Sequence, residues 1–381
     1  MRTYHFVTSF LFGAIILLMA GAAIVRAVPY DVPENIQVAD GSLTRGFESH
    51  YDKVFPVKTF GTNLWGAIQY LLFGEGRAGV VVGREGWLYT SEEFSAVADG
   101  DAQIDAHLDL IADVQRRLQA QGTQLTVALL PAKARLYPEY LSEQRPAEMH
   151  RDLYARVQLG LQQRGVRAPD LLEPMSRCKA QGAVFLRTDT HWTPDGAACI
   201  AQALAAAGSV PVSQEGAFQT ESGETKLHQG DLMQFLPLSP YFSALLPQPD
   251  LLVVRATQSQ SADLFGDAPA PRVALIGTSY SADARWNFDG ALRQSLEQDV
   301  LNLARSGQGP FEPMLAYLDQ KPTDAPVPSH VIWEIPERYL PASAAKQRKD
   351  SKDPSPHENG ESPAQVALGG APSSQDATAQ P

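Results

Sequence analysis

Residues 273–281 read Val273-Ala274-Leu275-Ile276-Gly277-Thr278-Ser279-Tyr280-Ser281. The four apolar residues make a short strand of the fully buried kind, and Gly277-Thr278-Ser279 turns it into a helix-compatible stretch. A serine at such a turn sits at the carboxyl edge of a sheet, where open α/β sheets carry their ligands. The N–H groups that open the next helix can hold an oxyanion. A serine hydroxyl is a weak nucleophile until a base takes its proton. The motif is not the G-x-S-x-G elbow, because position 281 is Ser. By itself it reads more readily as a plain strand-to-helix turn than as a catalytic one.

Working outward, Leu251–Val254 and Val331–Ile335 are further apolar strands, and Leu125–Leu130 is another. Helices separate them. Ile104, Leu108, Ile111, Val114 and Leu118 recur at three- and four-residue steps and predict an amphipathic helix over 101–121. A second helix is expected over about 147–163. A third starts at Thr193-Pro194, a capping hydroxyl followed by proline at the first helical position, and runs to Gly208. Val80-Val81-Val82, the turn Gly83–Gly86 and Trp87-Leu88-Tyr89 predict a hairpin. Strands alternating with helices predict an α/β fold with a mostly parallel central sheet. Residues 209–250 are rich in Gly, Pro and Gln without periodicity and read as a long loop or small insertion, a candidate cover for a site. Residues 27–74 form a lead-in, irregular over 27–60. The tail 342–381 is expected to be disordered, because its Ala, Pro, Ser, Gln and charged residues cannot bury enough apolar surface.

The formal net charge of −12 argues against a nucleic-acid partner, which calls for a basic footprint. An anionic substrate would need a local cluster of Lys and Arg. The run Phe6–Val25 is long enough to span a hydrocarbon core, which takes about 20 residues. Residues 1–26 therefore read as a signal anchor or a cleaved signal peptide, and either exports the rest of the chain. In an oxidising compartment Cys178 and Cys199 form a disulfide or remain two buried thiols; spacing does not decide between them.

A second motif is Asp189-Thr190-His191-Trp192. Alternate residues of an extended segment face the same way, so Asp189 and His191 share a side just before the capped helix. A carboxylate beside a histidine fixes its tautomer and stabilises the imidazolium. The plain alternative is a polar turn with a solvent-facing histidine. No third His or Cys stands at metal-site spacing, so neither metal nor other cofactor is expected. Together the two motifs supply a nucleophile, a base and an orienter, the general logic of a triad.

These two motifs also resemble those of the alginate O-acetyltransferase family of AlgJ and AlgX, which has an SGNH-hydrolase-like fold. Further blocks carry the likeness: 86–94 (GWLYTSEEF), 130–139 (LPAKARLYPE), 301–310 (LNLARSGQGP) and 333–339 (WEIPERY). They lie in order over roughly 75–340. The resemblance implies a three-layer domain over 75–341 with Ser279 as nucleophile, His191 as general base and Asp189 as its orienter. The chain lacks the carbohydrate-binding module of AlgX-like members and is more like AlgJ. It implies ping-pong transfer of acetyl groups onto polymannuronate in alginate biosynthesis, or their relay, with the N–H of Ser279 and one from Arg305–Gly309 holding the oxyanion. Lys133, Arg135, Arg305 and Arg338 lie in the matched blocks and would contact the polyuronate, or would pair internally with Glu334 or Glu337. Tyr280 and Trp192 would line the sugar site or pack in the core. Implied partners are alginate, a membrane-bound O-acyltransferase as acetyl donor, other alginate acetylation and export proteins, and the inner membrane; the implied location is the periplasm. Three alternatives use the same features: an acetylesterase, a transferase for another exopolysaccharide, and a non-catalytic scaffold of an export complex.

Overall fold

A computed structural model describes residues 2–27, 29–32, 40–97, 99–142, 150–213, 217–260, 270–319 and 327–342. The expected tail lies outside them from residue 343 on. The chain opens with α1 (Arg2–Ala27), α2 (Ser42–Val54) and α3 (Pro56–Ile68). Within α1, Phe6–Arg26 is long and apolar enough to cross a membrane, a property that a signal anchor and a signal sequence share. The hairpin β1 (Val80–Val82) and β2 (Leu88–Thr90) comes next, then α4 (Gly100–Ala120) and β3 (Gln124–Leu130). After them come α5 (Lys133–Leu136), α6 (Leu153–Gln163), α7 (Leu172–Lys179) and α8 (Pro194–Ala206). The long strands β4 (Phe218–His228) and β5 (Asp250–Ser259) precede β6 (Val273–Ile276), α9 (Ser279–Ala282), α10 (Phe288–Leu296) and β7 (Val300–Asn302). The helix α11 (Phe311–Leu318) and the strand β8 (His330–Pro336) close the domain.

The central sheet has the order β3-β8-β6-β7, and every pairing in it is parallel. Its side chains alternate as a pleat requires. Leu125, Val127 and Leu129 of β3 pack with α4, α6 and α11, as do Ala274, Ile276, Val331 and Trp333. Ala128, Leu130, Val273, Leu275 and Ile332 turn to the other face and pack with α7, α8 and α10. Helices thus cover both faces, and the strands are apolar on both sides because neither meets water. The result is a three-layer α/β domain: its parallel sheet is the one the alternating elements predict, and its three layers are those the family resemblance implies. Thr193 caps α8 through Gly196 N, as its sequence requires.

Three expectations need correction. Leu251–Val254 belongs to β5, which pairs antiparallel with β4 in a separate ribbon and not with the parallel sheet. A short apolar run identifies a strand but not its partner. The segment 209–250 is not a loop throughout: it contains all of β4, whose Thr, Glu, Ser and Lys residues are mostly exposed. Main-chain pairing holds this strand, so it leaves little apolar pattern. The lead-in is helical from Ser42 onward rather than irregular. Leu43, Phe47, Tyr51 and Val54 make a helical stripe in α2, yet no residue of that helix is buried.

Cys178 of α7 and Cys199 of α8 are joined by a disulfide, with Cα atoms 6.5 Å apart and a sequence separation of 21. Closing a loop of that length restricts the unfolded chain by about 3 kcal/mol in the chain-entropy model. The double replacement Cys178→Ala and Cys199→Ala is therefore expected to lower the urea midpoint by that equivalent. An unchanged midpoint would show that the link adds no stability.

Candidate active site

The first side chain of the site comes from the carboxyl end of β6. Gly277 and Thr278 turn the chain, and Ser279 opens α9. Beneath the turn lies Glu334 of β8. The strand's alternation puts position 334 on the same face as Ile332, where an apolar residue would pack; here a fully buried carboxylate replaces it. It is satisfied locally. Its oxygens accept from Thr278 N at 2.7 Å, from Thr278 Oγ1 at 3.1 and 3.0 Å, and from Ser281 Oγ at 3.0 Å. Burial pushes its pKa up, against the pull of these donors. The turn is therefore fixed by side-chain chemistry from the next strand, not by its own sequence alone.

Asp189 and His191 come from the segment before α8. One oxygen of Asp189 accepts from His191 Nδ1 at 2.7 Å and from His191 N at 2.9 Å. The other accepts from His228 Nε2 at 2.7 Å and from Asp231 N at 3.1 Å. An ionised carboxylate only accepts, so Nδ1 of His191 carries the proton and Nε2 is left as the acceptor. Ser279 Oγ lies 2.7 Å from that nitrogen and donates to it. The order Asp189–His191–Ser279 can thus draw a proton from the serine. Trp286 stacks on the imidazole with ring centroids 5.1 Å apart and limits its rotation.

The same contacts set the electrostatics. Burial opposes ionisation of Asp189, but the bonds and charges of His191 and His228 outweigh it and hold its pKa well below the usual carboxylate value. Burial opposes the imidazolium of His191, but the bond to Asp189 and the charges of Asp189 and Asp231 raise its pKa overall. Asp231 Oδ2 lies 3.8 Å from His191 Nδ1 with its side chain 36% exposed. Desolvation and the charge of Asp189 push the pKa of Asp231 up to about 6.

Surrounding bonds position the Asp189 segment. Lys133 Nζ donates to Leu88 O at 2.6 Å, Arg187 O at 2.9 Å and Asp189 O at 2.9 Å. Asp250 accepts from Arg187 N and Thr188 N, both at 2.9 Å. Gly230 passes so close that a Cβ there would stand 2.2 Å from the Thr188 carbonyl. Tyr280 donates its hydroxyl to Thr190 O at 2.7 Å, which ties the serine turn to the histidine segment.

Several residues anticipated at a substrate surface have internal partners. Lys133 is buried and its ammonium is held by the three carbonyls above. Arg135 pairs with both oxygens of Glu337 at 2.8 Å, the internal alternative. Arg338 is buried, donating to Glu92 at 2.8 Å and to the Tyr280 hydroxyl at 3.2 Å. Tyr280 and Trp192 are core residues. Charged blocks in a sequence do not reveal that buried carbonyls and carboxylates will claim them. Of the anticipated residues Arg305 alone remains exposed, with its main-chain N–H bonded to Gly277 O at 3.1 Å.

Sequence pattern points only to His191 among the histidines, whereas His228 also belongs to the site. Its contact with Asp189 spans 39 positions, and no local spacing announces it. Asp231 is likewise unannounced. With Asp189 and His191 it forms, among the described residues, a group whose donor atoms lie within 4.8 Å of one another and suit a metal. In this structure most of those atoms are already committed: His191 Nδ1 to Asp189, the Asp189 oxygens to four donors, and Asp231 Oδ1 to Thr190 N at 2.7 Å, while Asp231 Oδ2 stands 3.8 Å from His191 Nδ1.

A three-layer parallel α/β fold with Ser, His and Asp converging at its carboxyl edge defines the class. A family model described as "SGNH hydrolase-like domain, acetyltransferase AlgX" matches residues 80–337, and the chain belongs to that family. It is 44% identical over 357 residues to the "Probable alginate O-acetylase AlgJ" of Pseudomonas aeruginosa, covering 89% of this chain and 90% of that protein. It is 50% identical over 317 residues to the protein of the same name from Pseudomonas putida, covering 81% and 82%. The solved "O-Acetyltransferase Domain of Pseudomonas putida AlgJ" superposes with a TM-score of 0.64 at 45% identity, covering 73% of this chain and all of that one.

The pKa of His191 is raised. A general base works only when neutral, so with His191 in that role activity is expected above the raised pKa and is expected to be lost as pH falls through it. Asp189→Asn removes the principal groups that raise it, and the acid limb of kcat/KM is expected to move to lower pH with a lower plateau. An acid limb that stays in place would mean that His191 is not the group titrating.

Proposed function

We propose that this chain is a serine-dependent O-acetyltransferase of alginate biosynthesis, with Ser279, His191 and Asp189 as its catalytic triad. The observation that carries the reading is the continuous path from Asp189 Oδ1 through His191 to Ser279 Oγ, 2.7 Å at each step. In the first half-reaction Ser279 Oγ attacks the acetyl carbonyl of a donor ester and gives its proton to His191 Nε2. The tetrahedral intermediate collapses, the leaving oxygen takes the proton from His191, and acetyl-Ser279 remains. A mannuronate hydroxyl then attacks the acetyl carbon, passing its proton to His191. Collapse returns that proton to Ser279 Oγ and releases the acetylated sugar. The N–H of Ser279, among the first of α9, supplies one oxyanion donor. In the 305–309 segment the N–H of Arg305 is bonded to Gly277 O, which narrows a second donor to 306–309.

Arg305 is the cation best placed to meet a uronate carboxylate, being exposed and attached to the serine turn through Gly277. The similarity to proteins named for alginate acetylation supports a polymannuronate acceptor. The apolar α1 supports export, with the domain at 75–341 on the periplasmic face of the inner membrane and 27–74 as its lead-in. A membrane-bound O-acyltransferase is the fitting donor partner, since anchoring both in one membrane raises their effective concentration.

The test pairs a chromogenic acetyl ester with oligomannuronate. Wild-type protein is expected to yield acetylated sugar and an acetyl adduct on Ser279, and Ser279→Ala to lose the adduct with at least about a 10³-fold drop in turnover. Activity surviving in Ser279→Ala would refute the serine mechanism. Free acetate without acetylated sugar would make the protein an esterase.

A further inference from the structure

Residues 59–74 (TFGTNLWGAIQYLLFG) contain no charged side chain. They form most of α3 and the π-helical turn Gln69–Phe73 that continues it. One face is fastened to the domain. Asn63 Nδ2 donates to Pro237 O at 2.8 Å. Gly66 lies so near Pro237 that a Cβ would stand 2.6 Å from its Cγ. Ala67 is buried in a cluster with Leu232 and Leu236. The opposite face points outward. Leu64, Trp65, Leu71 and Leu72 are 40, 57, 62 and 72% exposed, while Phe60 at the start of the helix packs edge-on against Tyr241. Single exposed apolar residues are ordinary, but these recur at helical spacing and make one continuous face.

What covers this face is indicated by its neighbour. The carboxyl-terminal end of α1 meets the junction of α2 and α3, where Val25 and Arg26 line a shallow pocket with Val54, Phe55 and Thr59. The apolar face of α3 therefore begins at the root of the helix that is long enough to cross a membrane. Arg26 and Lys53 are exposed at the same junction. An apolar helical face with a tryptophan, rimmed by cations beside a membrane span, has the composition of a segment that lies in the lipid interface.

We propose that α3 and its π-turn lie in the bilayer interface, with Leu64, Trp65, Leu71 and Leu72 at the boundary of headgroups and acyl chains. The inference rests on α1 remaining as a membrane anchor. It goes beyond anchoring, because a single span leaves the domain free to swivel, whereas a second lipid contact fixes its orientation. The inner face of α3 packs on residues 232–238, and Asp231 immediately before them lies beside His191. One short segment thus links the lipid contact to the candidate site.

Trp65 makes the idea measurable, because Trp87, Trp192, Trp286 and Trp333 are all buried. The full chain would be reconstituted in phosphatidylethanolamine–phosphatidylglycerol vesicles, with and without lipids brominated near the headgroup end of the acyl chain. Brominated lipid is expected to quench a distinct part of the emission, and that loss is expected to vanish in Trp65→Phe. Leu72→Glu is expected to weaken it while the near-UV circular dichroism stays native. Carbonate-resistant association with no quenching of Trp65 would overturn the interfacial face while leaving the anchor intact, and would point to a second copy or a protein partner on it. Loss of carbonate-resistant association would refute the anchor itself and this inference with it.

Discussion

A buried carboxylate sets the terms for the rest of this structure. Asp189 is ionised in the interior, and an unpaired charge there would be far too costly to keep. Its oxygens therefore hold four donors: the ring and main chain of His191, the ring of His228 and the main chain of Asp231. Each donor comes from a segment that must be in place for the carboxylate to be tolerated. Lys133 then holds the Asp189 carbonyl, and Asp250 holds the two residues before it. The orientation of His191 is a by-product of satisfying this one charge, and so is the tautomer that leaves Nε2 free for Ser279.

The serine side repeats the device with a second carboxylate. Glu334 takes a position that the alternation of β8 assigns to the core, and its oxygens hold the turn that presents Ser279. Tyr280 then bridges the two halves through Thr190 O, and Arg338 donates to the Tyr280 hydroxyl. Polar groups inside the apolar layers are tolerable because every one of these acceptors has donors. The polar network occupies the carboxyl edge of the sheet, while most remaining strand positions are left to ordinary apolar packing, apart from the buried pair Thr126 and His330.

How much of this is legible beforehand depends on distance along the chain. The buried strand before Gly277, the alternation of Asp189 and His191 and the Thr193 cap are local patterns, and they place the sheet, the serine and the histidine correctly. The family resemblance adds the expectation of acetyl transfer to a sugar, which the paired motifs do not show. Residues that act across long separations leave no such mark. His228 and Asp231 reach the site from the end of a polar ribbon. Lys133 and Arg338 look like surface cations until their buried partners are known. The strand β4 escapes notice for a related reason: its order comes from main-chain pairing with β5, and its side chains carry almost no burial signal.

That ribbon also determines where the chain can tolerate insertions. His228 and Asp250 are direct cross-strand partners, and they grip Asp189 and the residues before it from two sides. In a strand, a slip of one residue turns every side chain to the opposite face. The count between the turn-proximal pair and the rest of the ribbon is thus indexed to the site. An extra residue on β4 is already accommodated between Ser222 and Thr225 by a shift in register. Length changes on the far side of that irregularity, toward Phe218 and Ser259, alter only the outlying pairs. A residue gained between Thr225 and His228 would swing the imidazole away from Asp189. The ribbon thus acts as a ruler with one graduated end, and this chain's room for a change in length lies at the other.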